Sequence, residues 1–215
     1  MSAIDQIFFD IGGVLGTNGW DREQRGAAVE RFHLDAEDFQ YRHEETVGAF
    51  ESGEISLDEY LDVTVFSDER DFTRDEFKRF MFSLSEPWLE SLDVVRRLRR
   101  SIRGRPTRVR MATLNNESRE LNEYRIAHFG LCDLFDVFFS SCWVGVRKPT
   151  NQIYRRVLGM TQAKPERSVF VDDREQNLAP ARSLGMYTIR FTSADQLAHE
   201  LAELGFEGLG IGVRS

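Results

Sequence analysis

A chain of 215 residues, 41% of them hydrophobic, is long enough to bury a full core and suits one α/β domain with a modest insertion. Its formal net charge of -8, from 28 basic and 36 acidic residues, argues against a general nucleic-acid binder, which is usually basic. No apolar stretch approaches the ~18 residues of a membrane span. The start MSAIDQIFF lacks the basic opening, longer apolar segment and cleavage site of a signal peptide. Cys132 and Cys142 do not form a CxxC pair, so a reduced, cytoplasmic chain is expected.

The first predicted element is a strand over 4–9. It ends in IFFDIGGVLG, where a single carboxylate, Asp10, closes an apolar run and glycines follow at once. A lone acid at the tip of a buried strand has no structural role to offset its desolvation. Its position is where open α/β sheets place their chemistry. From 17 to 86 the sequence reads as helices only, with capping-box spacing at Ser56/Glu59 and Thr73/Glu76. A βαβ crossover needs far fewer residues. The expected organisation is therefore a core of residues 1–16 and 87–215, with 17–86 inserted as a helical subdomain lidding the strand ends. Asn18 and Trp20 lie nearest the site in sequence, though Trp20 reads first as a packing residue. His33 and His43 read as structural or exposed.

Residues 96–110, RRLRRSIRGRPTRVR, hold eight arginines. Leu92, Val95 and Leu98 make an apolar stripe that leaves the arginines on a solvated helix face. Further strands are expected at 107–114, 135–140, 168–172 and 187–191. Helical patterns separate or follow them: RELNEYRIAHFG closing at Gly130, TNQIYRRVLGM, EQNLAPARSLG closing at Gly185, and SADQLAHELAELG closing at Gly205. This alternation argues a Rossmann-like parallel sheet with helices on both faces. The glycine-rich end GFEGLGIG lacks the strand–helix context of a dinucleotide site and reads as a flexible tail.

Polar residues gather at the predicted strand ends. Thr113, Asn115 and Asn116 follow the second strand in RMATLNNES. Lys148 precedes a proline and a helix in VGVRKPTNQIY. Asp172 and Asp173 end the fourth strand in SVFVDDREQN, with Asn177 shortly after. Three acids at two strand tips make a site for a hard cation such as Mg²⁺, which takes oxygen ligands and commonly bridges to phosphate. A lysine and loop amides would neutralise the phosphate's remaining charge. Asp10 could then attack phosphorus as a carboxylate nucleophile.

This set resembles the haloacid dehalogenase superfamily, in the branch with a helical cap inserted after the first motif. IFFDIGGVL looks like the first motif, VGVRKPTNQIY the third and SVFVDDREQNLAPARSLGM the fourth. The last two resemble the phosphatase domain of soluble epoxide hydrolases. The resemblance implies a Mg²⁺-dependent phosphatase acting on a small phosphorylated metabolite through an aspartyl-phosphate on Asp10. Asp10, the Gly12 carbonyl and Asp173 would ligate the metal, with Asp172 and Asn177 supporting it or its waters. Lys148 would bind the phosphate, joined by Asn115, Asn116 or Thr113. The hydroxyl of the family's second motif falls on Thr113 or, in the preferred alignment, is replaced by the Asn115 amide. Family phosphatases usually carry a second aspartate where Gly12 stands. General acid–base help is worth ~10²–10⁴-fold, so slow turnover or a need for good leaving groups is expected. A 2-haloacid dehalogenase and a weakly catalytic metal- and phosphate-binding module are the alternatives.

Overall fold

The computed structural model describes residues 4–103 and 108–209. Five strands, β1 (Gln6–Phe9), β2 (Arg110–Asn115), β3 (Val137–Ser140), β4 (Ser168–Asp172) and β5 (Tyr187–Arg190), form one parallel sheet in the order β3-β2-β1-β4-β5. Each falls within or beside the stretch expected to be a strand. The start of the second stretch, at Thr107, lies outside the described residues. The sheet is Rossmann-like, and its order reverses at β1: β2 and β3 extend one way, β4 and β5 the other. The C-terminal end of β1 is therefore the crevice where such sheets bind ligands.

β1 is buried along its whole length because both faces are covered, as parallel sheets require. Ile7 and Phe9 join Met111, Val169 and Val171 beneath α5 (Leu89–Arg103) and α10 (Ala194–Glu203). Phe8 points to the other face, with Ala112, Leu114 and Phe170, beneath α8 (Asn151–Thr161) and α9 (Glu175–Ser183). In α5 the inward stripe is Leu92, Val95, Leu98 and Ile102, and Arg99 pairs outward with Asp136 at 2.7 Å. At the C-terminal end, Phe206 and Leu209 are buried in the first of these layers, which corrects the expectation of a flexible tail at those positions. A packed aromatic and an aliphatic chain outweigh the freedom that neighbouring glycines offer. Gly210 to Gly212, the rest of that motif, lie outside the described residues.

Between β1 and α5 come α1 (Arg22–Phe32), α2 (Ala36–Ser52), α3 (Leu57–Thr64) and α4 (Arg74–Ser83). Both expected capping boxes form, at the starts of α3 and α4. These helices bury their own aromatic cluster of Trp20, Phe39, Phe50, Tyr60 and Phe77, joined by Leu121 of α6 (Arg119–His128). The chain leaves the sheet and returns to it along one paired path. Thr17 N–H donates to the Glu86 carbonyl and Trp88 N–H to the Leu15 carbonyl, each at 2.9 Å. Gly16 sits at this crossing, where a Cβ would lie 2.5 Å from the Glu86 oxygen and 2.6 Å from the Phe129 ring. The last α-helix among the described residues, α7 (Ser141–Val144), follows β3 directly. Among the described residues no helix is long and apolar enough to cross a membrane.

Candidate active site

Asp10 ends β1 beside the tip of β4, and its backbone N–H donates to Val171 at 2.9 Å. Its two carboxylate oxygens have different partners. Oδ1 accepts from Ile11 N–H at 2.8 Å, and Oδ2 lies 2.9 Å from Lys148 Nζ. Lys148 also reaches Asp172 Oδ2 at 2.7 Å, so one buried ammonium bridges the two strand tips. Burial acts to lower the Lys148 pKa, but Asp10 and Asp172 outweigh it and hold the ammonium above its ordinary value. Asn116 places this lysine: its Oδ1 accepts from Lys148 N–H at 2.8 Å and its Nδ2 donates to the Lys148 carbonyl at 2.9 Å.

The adjacent acids of β4 have different environments. Asp172 is fully buried and saturated. Besides Lys148, it accepts from Arg174 N–H at 2.9 Å and from Asn177 Nδ2 at 3.0 Å. Burial pushes its pKa up, yet the Lys148 charge and these donors hold it below the carboxylate range. Asp173 is half-buried, and its Oδ1 is buried with no hydrogen-bond partner. Burial and the Asp172 charge push its pKa up. Its carboxylate lies on the turn at Gly13, whose φ of 70° suits glycine, and a Cβ there would sit 2.6 Å from the carboxylate. Burial also raises Asp10, to about 7, against the pull of Lys148 and with help from Asp172 and Asp173.

Ligand oxygens of Asp10, Asp172 and Asp173 lie within 4.8 Å of one another. Two of these acids are under-compensated, and one presents an orphaned buried oxygen. Such a set of hard oxygen donors fits a hard divalent cation. Asp173, rather than the saturated Asp172, has the free oxygen to give.

A cavity of about 440 Å³ opens above this cluster, lined by Asp10, Gly12, Asn116, Lys148 and Asn177 on the sheet side. Asn18, Trp20, Arg25 and His43 line its opposite wall. Two residues expected near phosphate do not line it. Asn115 donates its amide to Asn122 Oδ1 at 2.9 Å, and Thr113, fully buried within β2, has an unpartnered hydroxyl. Trp20 both packs in the aromatic cluster and borders the cavity. His43 does the same, buried at 6% exposure, whereas His33 is exposed.

Sequence reasoning missed several cavity residues. Glu117 and Arg125 form a buried ion pair at 3.4 Å, their side chains 5% and 1% exposed. Burial pushes the Glu117 pKa up to about 7; Arg125 opposes this and Glu51 adds to it. Arg125 also donates to the Thr17 carbonyl, tying α6 to the path into α1. The position of Glu117 just past β2 was the available signal. The side chains it meets come from distant parts of the chain.

A parallel sheet with buried acids and a lysine at its C-terminal edge defines the class: a Rossmann-like α/β protein with a carboxylate site at the switch point of its sheet. The haloacid dehalogenase-like hydrolase family matches residues 4–185, and the chain belongs to it. The "Bifunctional epoxide hydrolase 2" of Rattus norvegicus is 43% identical over 77 residues, 34% of this chain and 14% of that protein. The "Sesquiterpene phosphatase astK" of Aspergillus oryzae is 32% identical over 107 residues, 50% of this chain and 54% of that one. These matches thus span a seventh and about half of the two relatives. Among solved structures, the HAD family enzyme bt-2542 of Bacteroides thetaiotaomicron, in complex with magnesium and inorganic phosphate, superposes with a TM-score of 0.74. The two share 20% identity, over 92% of this chain and 99% of that one.

Proposed function

We propose that this hydrolase is a magnesium-dependent phosphatase that cleaves small phosphoric monoesters through an aspartyl-phosphate on Asp10. The observation that carries the reading is the Lys148 ammonium held between Asp10 and Asp172, with the unpartnered Asp173 oxygen beside them. Asp10, Asp173 and the Gly12 carbonyl would hold Mg²⁺, which when bound supplies positive charge to the phosphate. Lys148 supplies a second positive charge and shields the Asp10 carboxylate from an incoming anion. Asn116 and Asp172 keep that lysine in place, and Asn177 keeps Asp172 in place. Asp10 forms a bond to phosphorus as the ester P–O bond breaks. Water then attacks the acyl phosphate, releasing inorganic phosphate and the Asp10 carboxylate.

Gly12 offers the leaving oxygen no proton. Its surroundings leave little room for a side chain, since a Cβ would lie 3.3 Å from Asn18 Cα and 3.4 Å from Gly19 N. Aryl phosphates, whose leaving groups need no proton, are therefore the favoured substrates. Residues 17–86 act in this reading as a cap, supported by an aromatic cluster drawn almost wholly from them and by the paired path along which the chain leaves and rejoins the sheet.

The test is hydrolysis of 4-nitrophenyl phosphate with Mg²⁺ or EDTA, for the wild type and Asp10→Asn. Metal-dependent release by the wild type alone is expected. Equal rates for the two proteins would remove the proposal. Release of chloride from 2-chloropropionate would favour dehalogenation, a reaction that uses the Asp10 nucleophile but needs no metal and so gives the paired acids Asp172 and Asp173 no ligand role.

A further inference from the structure

We propose that Arg25 and His43 form a second oxyanion subsite in the cavity, which takes a carboxylate or second phosphate carried by the substrate. The inference rests on the phosphatase reading and narrows its substrate class to phosphomonoesters bearing another anionic group.

Arg25 is 9% exposed and lines the cavity. Its Nη1 donates to the Trp20 carbonyl at 2.5 Å and its Nε to Gln40 Oε1 at 3.3 Å. These bonds fix the guanidinium without neutralising it, and no carboxylate pairs with it among the described residues. None of its nitrogens is a buried atom lacking a partner, so the Nη2 edge is accessible; Arg25 also borders a second hollow with Glu44, which accepts from Gln40 Nε2 at 2.8 Å. A buried cation without a counter-ion is costly unless a ligand supplies one.

The acids that share the cavity are engaged elsewhere. Asp21 caps α1 through Gln24 N–H at 3.0 Å, and Glu51 pairs with Arg147 at 2.9 Å. Glu117 pairs with Arg125, and Asp10 with Lys148. Of the other lining cations, Arg174 lies 3.8 Å from Asp173. Arg22 is exposed on the same first turn of α1 and adds positive potential at the rim.

His43 supplies the second donor. Tyr60 is fully buried and its hydroxyl accepts from Trp20 Nε1 at 2.9 Å. No other acceptor is hydrogen-bonded to that hydroxyl among the described residues, which assigns its proton to His43 Nδ1, 2.8 Å away. That leaves the imidazole proton on Nε2. Burial and the Arg25 charge lower the His43 pKa to about 4, so the ring is a neutral donor at pH 7. Arg25 and this imidazole offer hydrogen-bond donors and no acceptor, a pairing that selects anionic oxygen.

The experiment compares matched substrates of increasing reach. Phosphoglycolate, 3-phosphoglycerate and 3-carboxyphenyl phosphate are each assayed against the partner in which CH₂OH replaces the carboxylate. 1,3-Phenylene bisphosphate separates the two anion sources. At least one anionic member should exceed its partner in kcat/KM by about 10- to 100-fold, the range of a charge-assisted hydrogen bond. A bisphosphate better than the carboxylate assigns the subsite to phosphate; the reverse order assigns it to carboxylate. Arg25→Met should bring the ratio to within about twofold of unity through KM, and Arg25→Lys should keep part of it. Failure of every pair to differ in the wild type, or a preference that survives Arg25→Met, overturns the subsite. The wild-type ratios decide even where Arg25→Met does not fold. If no compound turns over, the phosphatase reading fails separately. Titration calorimetry of the same pairs, with Mg²⁺ present, then applies the same twofold criterion to the dissociation constants.

Discussion

Arg125→Met should destabilise the protein strongly at pH 8 and weakly at pH 5. The substitution keeps the length and apolar body of the side chain while removing the charge beside Glu117, whose side chain is 5% exposed. In the wild type, burial already raises the Glu117 pKa from 4.5 to about 7. The folded state therefore holds a proton that the unfolded chain has lost, and stability falls as pH rises through that window. At about 1.4 kcal/mol per pH unit this cost is about 3 kcal/mol. Without Arg125 only the Ser118 N–H, donating to Glu117 at 2.9 Å, opposes the burial, so the folded pKa climbs further and the window extends upward. Leaving one partner of a buried pair uncompensated costs about 3–5 kcal/mol. For a chain of this size that corresponds to a drop in Tm of about 6–20 °C at pH 8. At pH 5 Glu117 is protonated in the folded state. The bond to Thr17, the now uncharged contact with Glu117 and the stacking of the guanidinium 5.3 Å from the Phe129 ring are then lost. That loss is about 1–2 kcal/mol. Thermal melts of wild type and variant at both pH values measure the difference. Equal losses at pH 5 and pH 8 would refute the electrostatic argument, and Glu117→Gln in the Arg125→Met background should restore most of the deficit at pH 8.

Other outcomes follow from the site and the packing. Lys148→Met removes the ammonium shared by Asp10 and Asp172 and should lower kcat on 4-nitrophenyl phosphate about 10²–10³-fold; retention of a tenth of the activity would contradict its proposed role. Asn116→Ala deletes both bonds to the Lys148 backbone and should cost about 10–100-fold in kcat by letting that lysine shift, while unchanged turnover would show that the lysine is held by other means. Mg²⁺ at 100 times its dissociation constant should add about 2.7 kcal/mol of stability, and a thermal-shift response that persists in Asp173→Asn would exclude that carboxylate as a ligand. Gly53→Ala should lower Tm well beyond Gly130→Ala. Both positions have positive φ, 75° and 65°, but a Cβ at Gly53 meets the Cys142 carbonyl whereas one at Gly130 meets nothing within 4 Å; equal melting temperatures would show that the contact relaxes freely.

The parts of the fold that could be read from the sequence are those set by local pattern. Apolar runs ending in Asp10 and Asp172, and the capping boxes of α3 and α4, depend on neighbours a few residues away. The grouping of Asp10 with Asp173 came from placing two strand ends side by side, and Lys148 joined them through the resemblance of VGVRKPTNQIY to a family motif. Side-chain partners across the cavity were less accessible. Nothing in SRELNEYRI announces that Arg125 turns inward to Glu117 and Thr17, because arginine at helical spacing is ordinarily a surface residue. His43 read as structural, and it is, through Tyr60. Its second face on the cavity depends on how α2 is set against the sheet, which one helix's periodicity does not encode. The glycines of GFEGLGIG drew attention from Phe206 and Leu209, the two residues between them that the core takes in.

The paired passage at Gly16, Thr17, Glu86 and Trp88 has an evolutionary consequence. Its two chain crossings are adjacent and hydrogen-bonded, so the ends of the intervening segment are fixed whatever its length. Lengthening a closed loop costs only about 0.6 kcal/mol per doubling. Exchange of that segment for another, by recombination or grafting, would leave strand order and the buried carboxylates where they are. With residues 17–86 in the proposed role of a cap, one scaffold would acquire new chemical tastes by trading a single contiguous stretch of gene.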